Sequence, residues 1–205
     1  MNNSGIILHS YRRCPFAIRV RMVLEEKNLP YQVIEENLSA LSERLLALHP
    51  EGRVPLLIHG DQVIYESSVI TEYLEEAFPT PALLPRAPEL RAQVRLWTYW
   101  CNEIFKPDLD AFKYEYSKMP APEKTELLKR MNRHLEKMEA PLKSGPFVMG
   151  SELTLADLHL FPFYRQLTRV QPGFPELALY PKLAEWLEKI SLRTSFARTM
   201  KPGPT

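Results

Sequence analysis

Cysteine is scarce in this chain. Its 205 residues hold two, Cys14 and Cys101, too far apart in sequence to suggest a metal knuckle or a compact disulfide framework. Such sparing use fits a reducing compartment. The five histidines, His9, His49, His59, His134 and His159, fall at no Cys or carboxylate spacing that marks a zinc site, so no metal is expected. An excess of one charge is also missing. With 26 Lys and Arg against 25 Asp and Glu, the net charge of +1 excludes the strongly basic surface that nucleic acid or an anionic membrane selects. No stretch approaches the roughly 20 apolar residues needed to cross a bilayer, and no basic N-terminal stretch leads into a signal-length apolar run. The expectation is a cytoplasmic protein with no nucleic-acid and no membrane partner.

Against that plain background, one short run stands out. Cys14 lies in Tyr11-Arg12-Arg13-Cys14-Pro15-Phe16-Ala17, directly after the apolar Ile6-Ile7-Leu8 and directly before an amphipathic segment. A cysteine followed by proline between a strand and a helix reads as a helix N-cap, with Pro15 at the first helical position, where a missing N–H costs nothing. Helix N–H groups, the positive end of the helix dipole and the two flanking arginines would all favour thiolate over thiol. The competing reading is a packed, inert cysteine.

The surrounding pattern is strand, helix, strand: 6–10, then 15–28 with Ala17, Val20 and Leu24 at helical spacing, then Tyr31 to Ile34. That is the size of a βαβ unit with a parallel pair, and it puts Cys14 at the C-terminal end of its first strand, where open sheets hold ligands. A helix over 39–48 and a hairpin, Val54 to Ile58 and Gln62 to Tyr65 around Gly60-Asp61, follow. A helix over 66–78 completes the order βαβαββα. Pro79, Pro81, Pro85 and Pro88 then suit a stiff linker. Beyond it the pattern is all helical: 89 to about 116, 123–142, 154–170 and 182–192. Thr154-Leu155-Ala156-Asp157 fits a capping box, a folding feature rather than a catalytic one.

Four features taken in order, the Cys14-Pro15-Phe16-Ala17 turn, Gly52-Arg53-Val54-Pro55, Tyr65-Glu66-Ser67-Ser68 and the Thr154 to Asp157 box, resemble the cytosolic glutathione transferase superfamily over essentially the whole chain. The cysteine turn and the run Glu72-Tyr73-Leu74-Glu75-Glu76 after Tyr65-Glu66-Ser67 look most like its cysteine-type omega class. The resemblance implies an α/β thioredoxin-like N-terminal domain over 1–80 that binds glutathione, a Pro-rich linker over 79–88 and an all-α C-terminal domain over 89–205. Glutathione would be the co-substrate. Cys14 would face its sulfur, and the Val54 backbone, before a cis Pro55, would pair with its cysteinyl unit. Glu66 and Ser67 would hold the γ-glutamyl end, and Phe16 would line the site. Omega enzymes set a lysine after the second strand to meet the glycyl carboxylate, whereas 39–42 holds no base, so Arg53 would have to substitute. Ala17 stands where two-domain glutaredoxins of similar plan carry a second cysteine, which leaves one-thiol chemistry.

The implied activity is glutathione-dependent thiol transfer, reducing mixed disulfides or dehydroascorbate, with weak conjugation to electrophiles, by a homodimer acting on an unidentified small-molecule or thiol acceptor. Two rivals share the resemblance: a non-enzymatic binding module similar to the stringent starvation protein, and a dehalogenase or glutathionyl-hydroquinone reductase. Several residues have a plainer reading as well. Glu66 and Ser67 are ordinary residues for a helix start, Cys101 reads as core, and Trp97, Trp100 and Tyr114 are either core or lining for an acceptor. The interleaved Lys and Glu of 123–139 read as a salt-bridged surface.

Overall fold

The computed structural model describes residues 5–171 and 173–201. They divide into two compact units, one running up to Ala82 and resuming at Arg193, the other spanning Leu83–Leu192.

In the first unit, strands β1 (Ile6–Ser10), β2 (Tyr31–Glu35), β3 (Leu56–His59) and β4 (Gln62–Tyr65) form one sheet in the order β2-β1-β3-β4. β1 pairs parallel with β2, with Ile6 opposite Tyr31, and antiparallel with β3, with Ile6 opposite His59. The parallel pair is possible because helix α1 (Pro15–Glu26) supplies the crossover. β3 and β4 form the expected hairpin, closed at Gly60-Asp61 with Gly60 at φ 61°, a region where a residue without Cβ is unstrained. On one face α2 (Glu43–Leu48) sets Leu45 onto Leu56 and Ile58. Helices α1 and α3 (Ser67–Ala77) pack together elsewhere in the unit. Buried Lys27, past the end of α1, donates to the Phe78 and Pro81 carbonyls, both at 2.7 Å, and pairs with Glu75, so one cation satisfies the C-terminal end of α3.

The helix expected over 39–48 starts later, at Glu43. Asn37 takes the Ala40 and Ser39 N–H groups into a turn, and Ser42 caps instead, accepting from the Leu45 N–H. Ser42 is itself anchored: its N–H and hydroxyl both donate to Glu36, which also meets His9 at 2.6 Å. Burial pushes the Glu36 carboxyl up, but the His9 and Ser42 hydrogen bonds outweigh it and hold the group below the usual carboxylate range.

The second unit is helical: α4 (Pro88–Trp100), α5 (Lys106–Tyr114), α6 (Ala121–Leu142), α7 (Leu155–Leu167) and α8 (Pro181–Ser191). Between α4 and α5, Cys101–Phe105 forms a π turn that closes with the Lys106 N–H on the Cys101 carbonyl, just before Pro107. A proline there has no N–H to give, and the wider turn absorbs the break. The capping box of α7 is present in full, and α7 is buried on nearly every side.

The chain's ends of domain differ from the expected 89–205. Residues from Arg193 on group with the first unit, because α9 (Thr194–Thr199) packs on α1, and Arg193 and Ser195 both bind Glu26. The Pro-rich stretch over 79–88 is likewise no free spacer. Leu83 and Leu84 within it are buried, and the Leu83 carbonyl accepts from the Leu155 N–H at 2.9 Å, so its second half belongs to the helical unit.

Candidate active site

Cys14 is the N-cap of α1, extended at φ −74° and ψ 119°, with Pro15 opening the helix. The turn before it is closed by the Cys14 N–H on the Tyr11 carbonyl, at 2.9 Å. Half-buried and outside any disulfide, its thiol makes no cap hydrogen bond; it points across to the Val54 carbonyl, with Sγ 4.0 Å from that oxygen. That contact is a weak S–H donation toward the neighbouring loop.

Val54 reaches that position from a loop held against β3. The Val54–Pro55 bond is cis, as the resemblance implied. Val54 packs with Ile7, Leu41 and Leu48 on the α2 cluster. Val54 lies at a bend, and apart from the Cys14 thiol its backbone makes no hydrogen bond among the described residues.

Glu66 and Ser67 sit where β4 runs straight into α3. A single residue makes that corner, and it does so in the left-handed region: Glu66 has φ 65° and ψ 115°. A non-glycine residue held there costs about 1–3 kcal/mol and is found mostly at functional positions. The Glu66 side chain is exposed and caps nothing, whereas Ser67 is buried at the first position of α3. Beneath it lies Arg19, fully buried, whose Nη1 donates to Ser67 Oγ at 3.3 Å and whose guanidinium sits 5.2 Å from the Phe16 ring centroid. Phe16, Arg19 and Ser67 therefore form one connected group. Arg19 escaped the sequence reading; an arginine three positions after Phe16 on an otherwise apolar helix face was the available signal.

Arg53 is placed differently. It is 69% exposed and pairs with Glu51 at 2.9 Å, and among the described residues no contact joins it to Cys14, Glu66 or Ser67. The other aromatic candidates also separate. Trp100 is buried against Phe105 and Tyr114 is exposed, while Lys137 lies 4.8 Å from the Trp97 ring centroid and 5.3 Å from that of Trp100. Cys101 is fully buried. The basic residues of α6 do meet carboxylates, Arg130 with Asp108 and Lys129 and Arg133 with Glu126.

Two family models match in sequence order, the glutathione S-transferase N-terminal domain over residues 8–82 and its C-terminal domain over 103–193. A probable glutathione S-transferase, parC, from Nicotiana tabacum is 30% identical, with 100% of this chain and 93% of that one covered. The chain belongs to the cytosolic glutathione transferase superfamily. A stringent starvation protein A homolog from Haemophilus influenzae is 31% identical over 96% of this chain and 91% of its own. Among solved structures, the tau-class glutathione S-transferase MiGSTU from mango superposes with a TM-score of 0.88 at 26% identity, covering 97% of this chain and 94% of that one. The relatives thus include tau-class enzymes and stringent starvation proteins, a wider set than the omega class alone. The thioredoxin-like sheet followed by a helical domain is the superfamily's fold. Among the described residues no helix is long and apolar enough to cross a membrane.

Proposed function

We propose that this protein is a cysteine-type, omega-like glutathione thioltransferase with glutathione as co-substrate. The observation that carries the reading is Cys14 itself, a half-buried thiol at the start of α1 facing the Val54 backbone. Val54 takes the cysteinyl unit of glutathione in antiparallel fashion, which brings the glutathione sulfur to Cys14. Glu66 meets the γ-glutamyl ammonium, while the Ser67 hydroxyl and the first N–H groups of α3 meet its α-carboxylate. Pro55 and Phe16 bound the pocket, and Arg53 extends toward the glycyl end once released from Glu51.

The chemistry needs one thiol. Thiolate Cys14 attacks the glutathione sulfur of a mixed disulfide; the S–S bond breaks, and the other thiolate leaves and takes a proton from solvent. A second glutathione thiolate then attacks the glutathionyl sulfur on Cys14, releasing oxidised glutathione and the free enzyme. The net change is one mixed disulfide and one glutathione converted to one thiol and one oxidised glutathione. Dehydroascorbate is reduced at the expense of two glutathiones by a related route: the Cys14 thiolate adds to a carbonyl carbon, a glutathione thiolate attacks the Cys14 sulfur of that adduct so that the C–S bond breaks and ascorbate leaves with protons from solvent, and a second glutathione releases oxidised glutathione from Cys14. Conjugation to an aryl halide is expected to be slow. The protein acts in the cytoplasm as a homodimer. The test is thiol transfer by Cys14→Ser: loss of activity supports the reading, and unchanged activity removes it.

A second reading draws on the stringent starvation protein relative: a binding module that retains the fold without the reaction. Retention on immobilised glutathione separates the two. Neither retention nor a glutathione adduct on Cys14 would favour the module.

A further inference from the structure

Arg13 precedes Cys14 directly, yet nothing in the chemistry above employs it. Its side chain is exposed but not loose. Nε donates to Tyr11 Oη at 2.8 Å, and the guanidinium carbon lies 5.4 Å from the Tyr11 ring centroid, so the ring and hydroxyl of a residue two positions back hold the group in place. Only the Nε edge is used in this way. The two Nη groups form the outer edge, the fork that matches a carboxylate with two parallel hydrogen bonds. Arg53, Arg130, Arg133, Arg193 and Arg198 each have a carboxylate within ion-pair reach, whereas Arg13 has none among the described residues. Glu35, which meets this turn from the end of β2, is engaged elsewhere: it accepts the Arg12 N–H at 2.6 Å and lies 3.7 Å from Arg21.

We infer that Arg13 is a specificity-determining residue, and that the thiol displaced by Cys14 belongs to an anionic acceptor whose carboxylate docks on the Arg13 fork. The inference rests on the thioltransferase reading and narrows it from any mixed disulfide to carboxylate-bearing ones. In the exchange step the Cys14 thiolate attacks the glutathionyl sulfur, and the leaving thiolate departs with its carboxylate on Arg13. A neutral or cationic thiol lacks that contact, and a cationic one is repelled.

The test compares three mixed disulfides of glutathione, with mercaptopropionate, mercaptoethanol and cysteamine, which share the glutathionyl half and differ in the charge of the other. The readout is the ratio of kcat/KM values, so an effect of Arg13 on Cys14 reactivity or on glutathione itself cancels. For the wild-type protein at low salt the expected order is anionic, neutral, cationic, with about fivefold between successive substrates, the size of an exposed charge pair. About 1 M salt should compress the series. Arg13→Lys should keep the order, Arg13→Ala should bring the ratios close to one, and Arg13→Glu should reverse them. A flat wild-type series, or the wild-type order surviving in Arg13→Glu, overturns the inference while leaving thiol transfer intact. No turnover of the neutral disulfide, or turnover undiminished in Cys14→Ser, overturns the thioltransferase reading and this inference with it.

Discussion

Helix α7 in the second unit and helices α1 and α3 in the first begin in opposite ways. At α7 everything is satisfied: Asp157 accepts from the Thr154 N–H and hydroxyl, from the Val148 N–H and from the Trp186 indole, at 2.8 to 3.1 Å, and closes the reciprocal box with Thr154. Burial pushes the Asp157 carboxyl up in spite of those bonds. At α1 and α3 the N-cap residues are Cys14 and Glu66, and neither side chain makes a cap hydrogen bond. Glu66 also holds a left-handed backbone. A helix start closed by its own side chains stabilises the fold, and one left open is where an anionic ligand finds N–H groups and the positive end of the dipole. The lesson is that both kinds are visible as cap-position residues, but only the partners they find tell structure from function.

Breaking the closed start should have the largest effect. Asp157→Ala strands several buried donors and is expected to cost about 3–5 kcal/mol in urea unfolding. A loss under 1 kcal/mol would mean that the box contributes little. Cys14→Ser should act the other way round, lowering thiol transfer at least about a hundredfold, or about 2.7 kcal/mol, while moving the unfolding midpoint little. Glu66→Gly sharpens the contrast: relieving the left-handed corner should raise stability by about 1 kcal/mol, while glutathione affinity, measured by calorimetry, falls about tenfold. Stability and affinity falling together would make Glu66 a structural residue only.

The smallest effect is a pH dependence in the second unit. Burial pushes the His134 imidazole below its ordinary value; the Asp108 carboxylate opposes this, and Arg130 and Arg133 add to it. The unfolded chain then binds the proton more readily than the folded one, so stability should fall as pH drops below about 6.5, by less than about 1 kcal/mol at pH 5.5. Denaturation midpoints at the two pH values check this, and His134→Gln should flatten the difference.

Much of this was legible in the chain. The order βαβαββα, the hairpin at Gly60-Asp61, the α7 box and the buried Cys101 follow from local patterns, because each depends on residues a few positions apart. What escaped was set by distant partners. The start of the 39–48 helix moved because Glu36, buried with His9, fixes Ser42. The grouping of α9 with the first unit depends on Glu26, far away in sequence. Arg19 gains its meaning only when Ser67 is placed over it. The left-handed Glu66 lacked the glycine that would have announced such a corner, and Arg53, expected near the glycyl end, is paired with Glu51.

Thiol transfer by this protein requires that Cys14 accept glutathione. Intact mass of the wild-type protein and of Cys14→Ser after exposure to oxidised glutathione tests it most directly. The expected result is a single glutathione adduct on the wild type, removed by added glutathione, and none on Cys14→Ser, whose remaining cysteine is the buried Cys101. An unmodified wild type, or an adduct of equal extent on Cys14→Ser, would contradict it.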